Sequence, residues 1–264
     1  MRSIVVVVAL ALHTSACSGD AQRGDAAQPA RAGGATAFSG SAALSYAKAQ
    51  MDFGPRVPGT PAAKKAGDWI VAQMRARADT VIVQTWTHTT ATGKKLPMRN
   101  ILARFRPELS DRVLYVTHWD SRPIAESAAT EAERKSPTPG ANDGASGVGL
   151  FVALGDVFKK QKPTVGVDLL FVDGEDYGEF GPPDVDVLIG STYFASNLPS
   201  PGYKPLFGVV WDMIGDSDLR IPYETHSFQR APEVVSRVWQ TAADLRGPIT
   251  PSVGAQVQCR VQLG

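Results

Sequence analysis

Cysteine, histidine and net charge are all scarce in this sequence. Its two cysteines, Cys17 and Cys259, allow at most one intramolecular disulfide. The net charge of +1 gives no electrostatic reason to expect a nucleic-acid partner, and we predict none. What remains is the composition of an ordinary globular protein, with 43% apolar residues among 264, and it is long enough for one sizeable α/β core.

The first 16 residues have the form of an export signal. Arg2 supplies a positive start, residues 4–12 form an apolar run too short to span a bilayer, and small residues lead to Cys17. A cysteine at this position resembles the lipobox of bacterial lipoproteins, in which it is acylated after cleavage. We therefore expect a protein of the bacterial cell envelope, periplasmic or surface-exposed, that contacts the membrane only through a lipid at Cys17. The alternative is an ordinary signal peptide with a chance cysteine.

The domain plan follows from composition. Residues 17–37 contain almost no large apolar side chain, so we predict a disordered tether after the signal peptide of residues 1–16. Acylation of Cys17 would leave Cys259 without an intramolecular partner. We interpret residues 38–247 as a single folded domain, with residues 248–264 as a tail outside it.

Short apolar strands alternate with helices in the second half of this domain. The pattern predicts buried strands at 113–116, 167–172 and 206–211, and helices at 147–158, 191–197 and 232–245. Earlier, strands are predicted at 80–90 and 100–105, with helices capped by Ser41 and Thr60. The expected fold class is α/β, a single mostly parallel (mixed) sheet with helices on both faces.

Metal-binding side chains follow each of the three buried strands. His118, Asp176 and Asp212 stand after successive strands, and Asp143 stands at a predicted helix N-terminus. Each alone has an ordinary explanation, such as a core histidine, a turn acceptor or a helix cap. Because functional groups of open α/β sheets gather at the carboxyl ends of the strands, the four together predict a site for a divalent cation.

Two further carboxylates complete the predicted site. Asp120 lies two residues beyond His118, where it can orient the imidazole. Glu175 lies next to Asp176, where it can act as a general acid or base without binding the cation. The sequence contains no H-E-x-x-H helix, no G-x-S-x-G turn and no phosphate-binding loop, which argues against the enzyme classes that use them.

These residues resemble the co-catalytic zinc aminopeptidases and the related glutaminyl-peptide cyclotransferases, over residues 53–245. The form of the blocks is most similar to that of bacterial glutaminyl cyclases of the animal type. Four blocks occur in the family's order: H-W-D-S-R-P at 118–123, G-A-N-D-G-A-S-G-V-G at 140–149, F-V-D-G-E-D-Y-G at 171–178 and W-D-M-I-G at 211–215.

The resemblance implies one or two zinc ions and peptide or protein N-termini as substrates. It assigns His118 and Asp212 to one metal position, Asp176 to a second, and Asp143 as a bridge between them. Glu175 becomes the catalytic acid/base, and Asp120 orients His118. Either cyclisation of N-terminal glutamine with release of ammonia or hydrolysis of the first peptide bond by a di-zinc aminopeptidase is compatible with this arrangement.

One departure from the family pattern concerns the end of the chain. The family's second metal position also uses a histidine in a later D-D-H block, and residues 248–264 contain no histidine. We therefore expect an aberrant or truncated tail and a sheet without its last elements. A third alternative follows, in which the chain is an inactive remnant or a binding protein.

Overall fold

The computed structural model describes residues 38–245, so the predicted signal peptide, tether and tail lie outside the described residues. Five strands form the sheet: β1 Thr80–Thr89, β2 Lys95–Phe105, β3 Arg112–His118, β4 Gly166–Val172 and β5 Phe207–Val210. The helices are α1 Gly40–Met51, α2 Pro61–Arg75, α3 Glu131–Arg134, α4 Ala145–Lys160, α5 Ile189–Ser196, α6 Thr225–Arg230 and α7 Pro232–Asp244. None of them is long and apolar enough to cross a membrane.

The strand order is β1-β2-β4-β3-β5. β3 runs parallel to both β4 and β5, whereas β2 is antiparallel to β1 and to β4. The predicted α/β class and mixed sheet are confirmed, but parallel pairings are no more frequent than antiparallel ones because β1 and β2 form a hairpin. The carboxyl ends of β3, β4 and β5 lie side by side at one edge of the sheet.

Alternation along β2 divides the core between the two faces of the sheet. Ile101, Ala103 and Phe105 pack with α2 and α4 in the larger apolar cluster, while Leu102 faces the opposite side with Phe194 of α5. α1 lies outside α4 and contacts it along its length. Helices therefore cover both faces, as the alternating pattern predicted.

Most predicted elements are present, with shifted ends. Thr60 caps α2 as expected, since its side chain accepts the N–H of Ala63. The cap of α1 is Ser39 and not Ser41, because Ser39 has the extended backbone that lets its oxygen accept the N–H of Ala42. β2 begins at Lys95, five residues before the predicted start, since it pairs with β1 along its full length. The short helices α3 and α6 were not predicted.

Candidate metal centre

His118 is the centre of a cluster of carboxylates. It is the last residue of β3 and is almost fully buried. Its Nε2 atom lies 2.8 Å from Oδ1 of Asp143, in the turn before α4, and 3.2 Å from Oδ1 of Asp212, just beyond β5. Two carboxylates from separate parts of the sequence thus lie at the same imidazole nitrogen.

A second group shares the same histidine. His118, Glu175 and Asp176 offer ligand atoms that all lie within 4.8 Å of one another, as do His118, Asp143 and Asp212. The structure therefore places the other three predicted ligands, Asp143, Asp176 and Asp212, around His118. One imidazole nitrogen with several carboxylate oxygens is a donor set that suits zinc.

The other described histidines have different surroundings. His88 on β1 contacts Asp186 through Nε2 at 2.8 Å. His226 is exposed within the short helix α6, ahead of α7, and its backbone N–H donates to Glu224. Among residues 38–245, the groups that could hold a metal contain no histidine other than His118.

Asp120 connects the segments that follow β3 and β4, next to the carboxylate cluster. Its fully buried carboxylate lies 3.4 Å from Nδ1 of His118, consistent with the predicted orienting contact. The same carboxylate accepts the backbone N–H of Glu175 through Oδ1 and that of Asp176 through Oδ2, each at 3.1 Å. The sequence did not predict these two bonds, because they join segments more than 50 residues apart.

Two glycines allow the Asp143 turn to approach the strand ends. Gly144 has a φ of +86°, and a Cβ atom there would lie 2.5 Å from the carbonyl oxygen of Asp120. At Gly147, in the first turn of α4, a Cβ atom would collide with the hydroxyl of Thr117 and lie 2.8 Å from the carbonyl oxygen of Trp211. A side chain at either position would separate Asp143 from the other carboxylates.

Arg56 is a contributor that sequence analysis did not identify. It is fully buried in the loop after α1 and donates to the carbonyl oxygens of Trp119 at 3.2 Å, Pro139 at 2.8 Å and Gly140 at 2.5 Å. It therefore ties the segment that carries His118 to the turn that carries Asp143. An arginine between prolines and glycines in G-P-R-V-P-G was the only available signal.

Hydrogen bonds decide the ionisation of His118. Burial by itself would lower the pKa of the imidazole, but its bonds to Asp120, Asp143 and Asp212 outweigh burial and raise the pKa well above the usual value. For Asp143, burial acts to raise the pKa, and the contact with His118 outweighs it and lowers the pKa. The three carboxylates thus favour the protonated form of the imidazole in the absence of a cation.

Glu175 and Asp176 are shifted in the opposite direction. Burial raises the pKa of Glu175 to about 8, with neighbouring carboxylates adding to the shift. Burial, followed by the charge on Asp143, raises the pKa of Asp176 to about 7. Glu175 therefore exchanges its proton near neutral pH, which is the property that a general acid or base requires.

Comparison with known proteins points to one family. The model of Peptidase family M28 matches residues 100–259. A glutaminyl cyclase of Porphyromonas gingivalis has 37% identity and a TM-score of 0.80, covering 84% of this chain and 78% of its own. A Zn-dependent exopeptidase of Parabacteroides distasonis has 33% identity and a TM-score of 0.79, with the same coverage of 84% and 78%.

Curated sequences show the same relationship over a shorter span. A protein of Leptosphaeria maculans named probable zinc metalloprotease is 30% identical over 181 residues, which are 63% of this chain and 39% of that protein. The chain thus spans about four tenths of the length of this curated relative.

Proposed function

This chain belongs to peptidase family M28, and from that membership we propose that it is a zinc-dependent glutaminyl-peptide cyclotransferase. The reaction converts an N-terminal glutamine of a peptide or protein to pyroglutamate and releases ammonia. The observation that carries the proposal is the position of Glu175, a carboxyl group that changes protonation near neutral pH beside the ligand group around His118. Because Glu175 would serve hydrolysis equally well, the preference for cyclisation rests on similarity to glutaminyl cyclases of several bacteria.

His118, Asp143, Asp176 and Asp212 would hold the zinc. The donor set fits, since Asp143 and Asp212 lie within 3.2 Å of Nε2 of His118 and an oxygen of Asp176 lies within 4.8 Å of the imidazole. When bound, zinc would polarise the carbonyl of the substrate's side-chain amide.

Glu175 would carry the proton in the cyclisation. The α-amine nitrogen of the substrate attacks the δ-carbon of the glutamine side chain, and the C–N bond to the amide nitrogen breaks. Glu175 accepts the proton that the α-amine loses and delivers it to the departing ammonia, so no water is consumed. Asp120 holds Glu175 for this task through the backbone N–H, and burial keeps its pKa close to the working pH.

Aminopeptidase activity is the second candidate. It is favoured by similarity to the Parabacteroides distasonis exopeptidase. A second cation would need ligands other than His118, because one imidazole nitrogen binds one cation. In this reaction Glu175 would take a proton from the attacking water and deliver it to the leaving amine.

Mass spectrometry of a glutamine-initiated peptide distinguishes the two. Loss of ammonia without addition of water supports the cyclotransferase, whereas release of the first residue with addition of water refutes it in favour of the aminopeptidase. Glu175→Gln is the control, since it should retain zinc while turnover falls by about 10²–10⁴-fold. No conversion of either kind by zinc-loaded protein would refute both activities for this chain.

We also propose that the protein is exported and anchored by a lipid at Cys17. The charged start, the short apolar run and the small residues before this cysteine support the proposal. The intact mass of the protein from the membrane fraction tests it, since an unmodified Cys17 excludes the anchor.

A further inference from the structure

Two polar side chains that flank Asp143 bind the backbone that follows Asp212. Oδ1 of Asn142 accepts the N–H of Gly215 at 2.7 Å, and Oγ of Ser146 accepts the N–H of Ile214 at 3.1 Å. The hydroxyl of Ser146 in turn donates to the carbonyl oxygen of Asn142. The turn before α4 and the segment after β5 are therefore joined by a closed set of hydrogen bonds.

The segment 212–215 adopts a backbone that needs such support. Met213, next to Asp212, has a φ of +50°, in the left-handed region that side chains other than glycine rarely adopt. Gly215 packs closely on the turn, since a Cβ atom there would lie 3.0 Å from Cβ of Ser146 and 3.2 Å from Oδ1 of Asn142. The bonds at Ile214 and Gly215 fix the backbone immediately after Met213 and so support this conformation.

The position of Asp212 depends on this segment. β5 ends at Val210, so Asp212 has no strand partner, and its carboxylate reaches His118 from the stretch between the strand and Met213. Asp143, between Asn142 and Ser146, reaches the same nitrogen from the other side. The bonds at residues 214 and 215 therefore link the two segments that carry these carboxylates.

We propose that Asn142 and Ser146 are positioning residues that hold Asp212 at a fixed distance from Asp143 and thereby complete the cation site. Neither side chain contacts the cation; each acts through the backbone N–H groups of residues 214 and 215. The metal-binding part of this inference rests on the proposed function, whereas the positioning of Asp212 does not.

The experiment measures zinc affinity and amide hydrogen exchange for Asn142→Ala and Ser146→Ala. Each substitution should weaken zinc binding about 10-fold or more, as supporting residues of metal sites commonly do. Each should also accelerate NMR-detected exchange, Asn142→Ala at the amide of Gly215 and Ser146→Ala at that of Ile214. Asn142→Asp keeps an acceptor oxygen and should retain the protection at Gly215. Asn197→Ala and Ser196→Ala, on exposed residues at the end of α5, are the matched controls.

A double-mutant cycle separates positioning from a general structural effect. If Asn142 acts through Asp212, the loss of zinc affinity caused by Asn142→Ala should largely disappear in an Asp212→Asn background. An equal loss in both backgrounds would overturn the proposal, because Asn142 would then act on Asp143 or on the fold. Unchanged exchange at both amides would also overturn it.

Failure of the proposed function has a different signature. If the unmodified protein binds no zinc, the zinc-dependent function is refuted. The positioning role of Asn142 and Ser146 is then tested only by amide hydrogen exchange in the metal-free protein. Faster exchange confined to residues 212–215 then supports it, and unchanged exchange there refutes it.

Discussion

The Oδ1 atom of Asp120 lies 3.1 Å from the backbone nitrogen of Glu175 and accepts its N–H. Since Oδ2 accepts the N–H of Asp176, both oxygens of one buried carboxylate hold the segment after β4 against the segment after β3. Asp120 therefore positions the predicted acid/base and a predicted ligand in addition to the imidazole of His118.

Replacing Asp120 by asparagine should disturb more than the imidazole. The amide offers one acceptor oxygen, so one of the two backbone N–H groups would face an N–H₂ group and remain unsatisfied. We expect zinc affinity to fall about 10–100-fold and the free energy of unfolding to fall by about 1–3 kcal/mol. Isothermal titration with zinc and urea denaturation measure the two effects. Asp111→Asn, at an exposed position, is the control, and equal behaviour of the two variants would contradict the role of Asp120.

The raised pKa of Glu175 predicts how the stability of the metal-free protein depends on pH. The folded state keeps the proton up to about pH 8, whereas the unfolded chain releases it near 4.5. The folded state binds more protons than the unfolded chain in this pH window. The contribution of Glu175 to stability is therefore largest below pH 4.5 and falls as the pH rises toward 8. One pKa unit corresponds to about 1.4 kcal/mol.

Glu175→Gln removes the titrating carboxyl group and should make the free energy of unfolding fall less steeply with rising pH. We expect the variant to gain about 2–4 kcal/mol relative to the unmodified protein between pH 5 and pH 8. Urea denaturation at several pH values, with a chelator present, measures the difference. A difference that is independent of pH would show that Glu175 is ionised in the folded protein at neutral pH.

Zinc binding should strengthen with pH in the same range. Ligation requires the deprotonated carboxylate of Asp176, whose pKa is about 7, and a neutral imidazole at His118, whose pKa is raised well above its usual value. Each proton displaced changes the affinity by up to about 10-fold per pH unit. We therefore expect tighter binding at pH 8 than at pH 6 and release of protons on binding, both measurable by calorimetry in buffers of different ionisation enthalpy. Affinity unchanged over this range would argue against ligation by these two residues.

Gly147→Ala tests the close approach of α4 to the strand ends. The added methyl group would collide with Thr117 and with the carbonyl oxygen of Trp211, so the first turn of α4 would have to move. We expect a loss of about 1–3 kcal/mol in the free energy of unfolding together with weaker zinc binding. Gly181→Ala is the matched control, because a Cβ atom at Gly181 meets nothing within 4 Å. Thermal unfolding of both variants provides the comparison.

The local sequence pattern was sufficient to predict many of the strands and helices. The apolar run of β4 is buried at every residue, as expected for a strand covered on both faces, and Thr60 with Pro61 marks the start of α2. Ser39 and Ser41 show the limit of such reasoning, since either can cap a helix and only the backbone conformation selects Ser39. The hairpin of β1 and β2 made the sheet less parallel than expected, because pairing partners are not encoded in a single strand.

The sequence by itself determined the candidate ligands, because His118, Asp176 and Asp212 follow apolar strands and carboxyl ends of parallel strands meet at one edge. Only the tertiary structure decided how these side chains are held. Arg56, Asp120, Asn142 and Ser146 act on backbone groups that are distant in the sequence, and no spacing rule connects such partners. The physical reason is that ligand identity depends on side-chain chemistry, which is local, whereas ligand position depends on hydrogen bonds and close packing between segments, which exist only after folding.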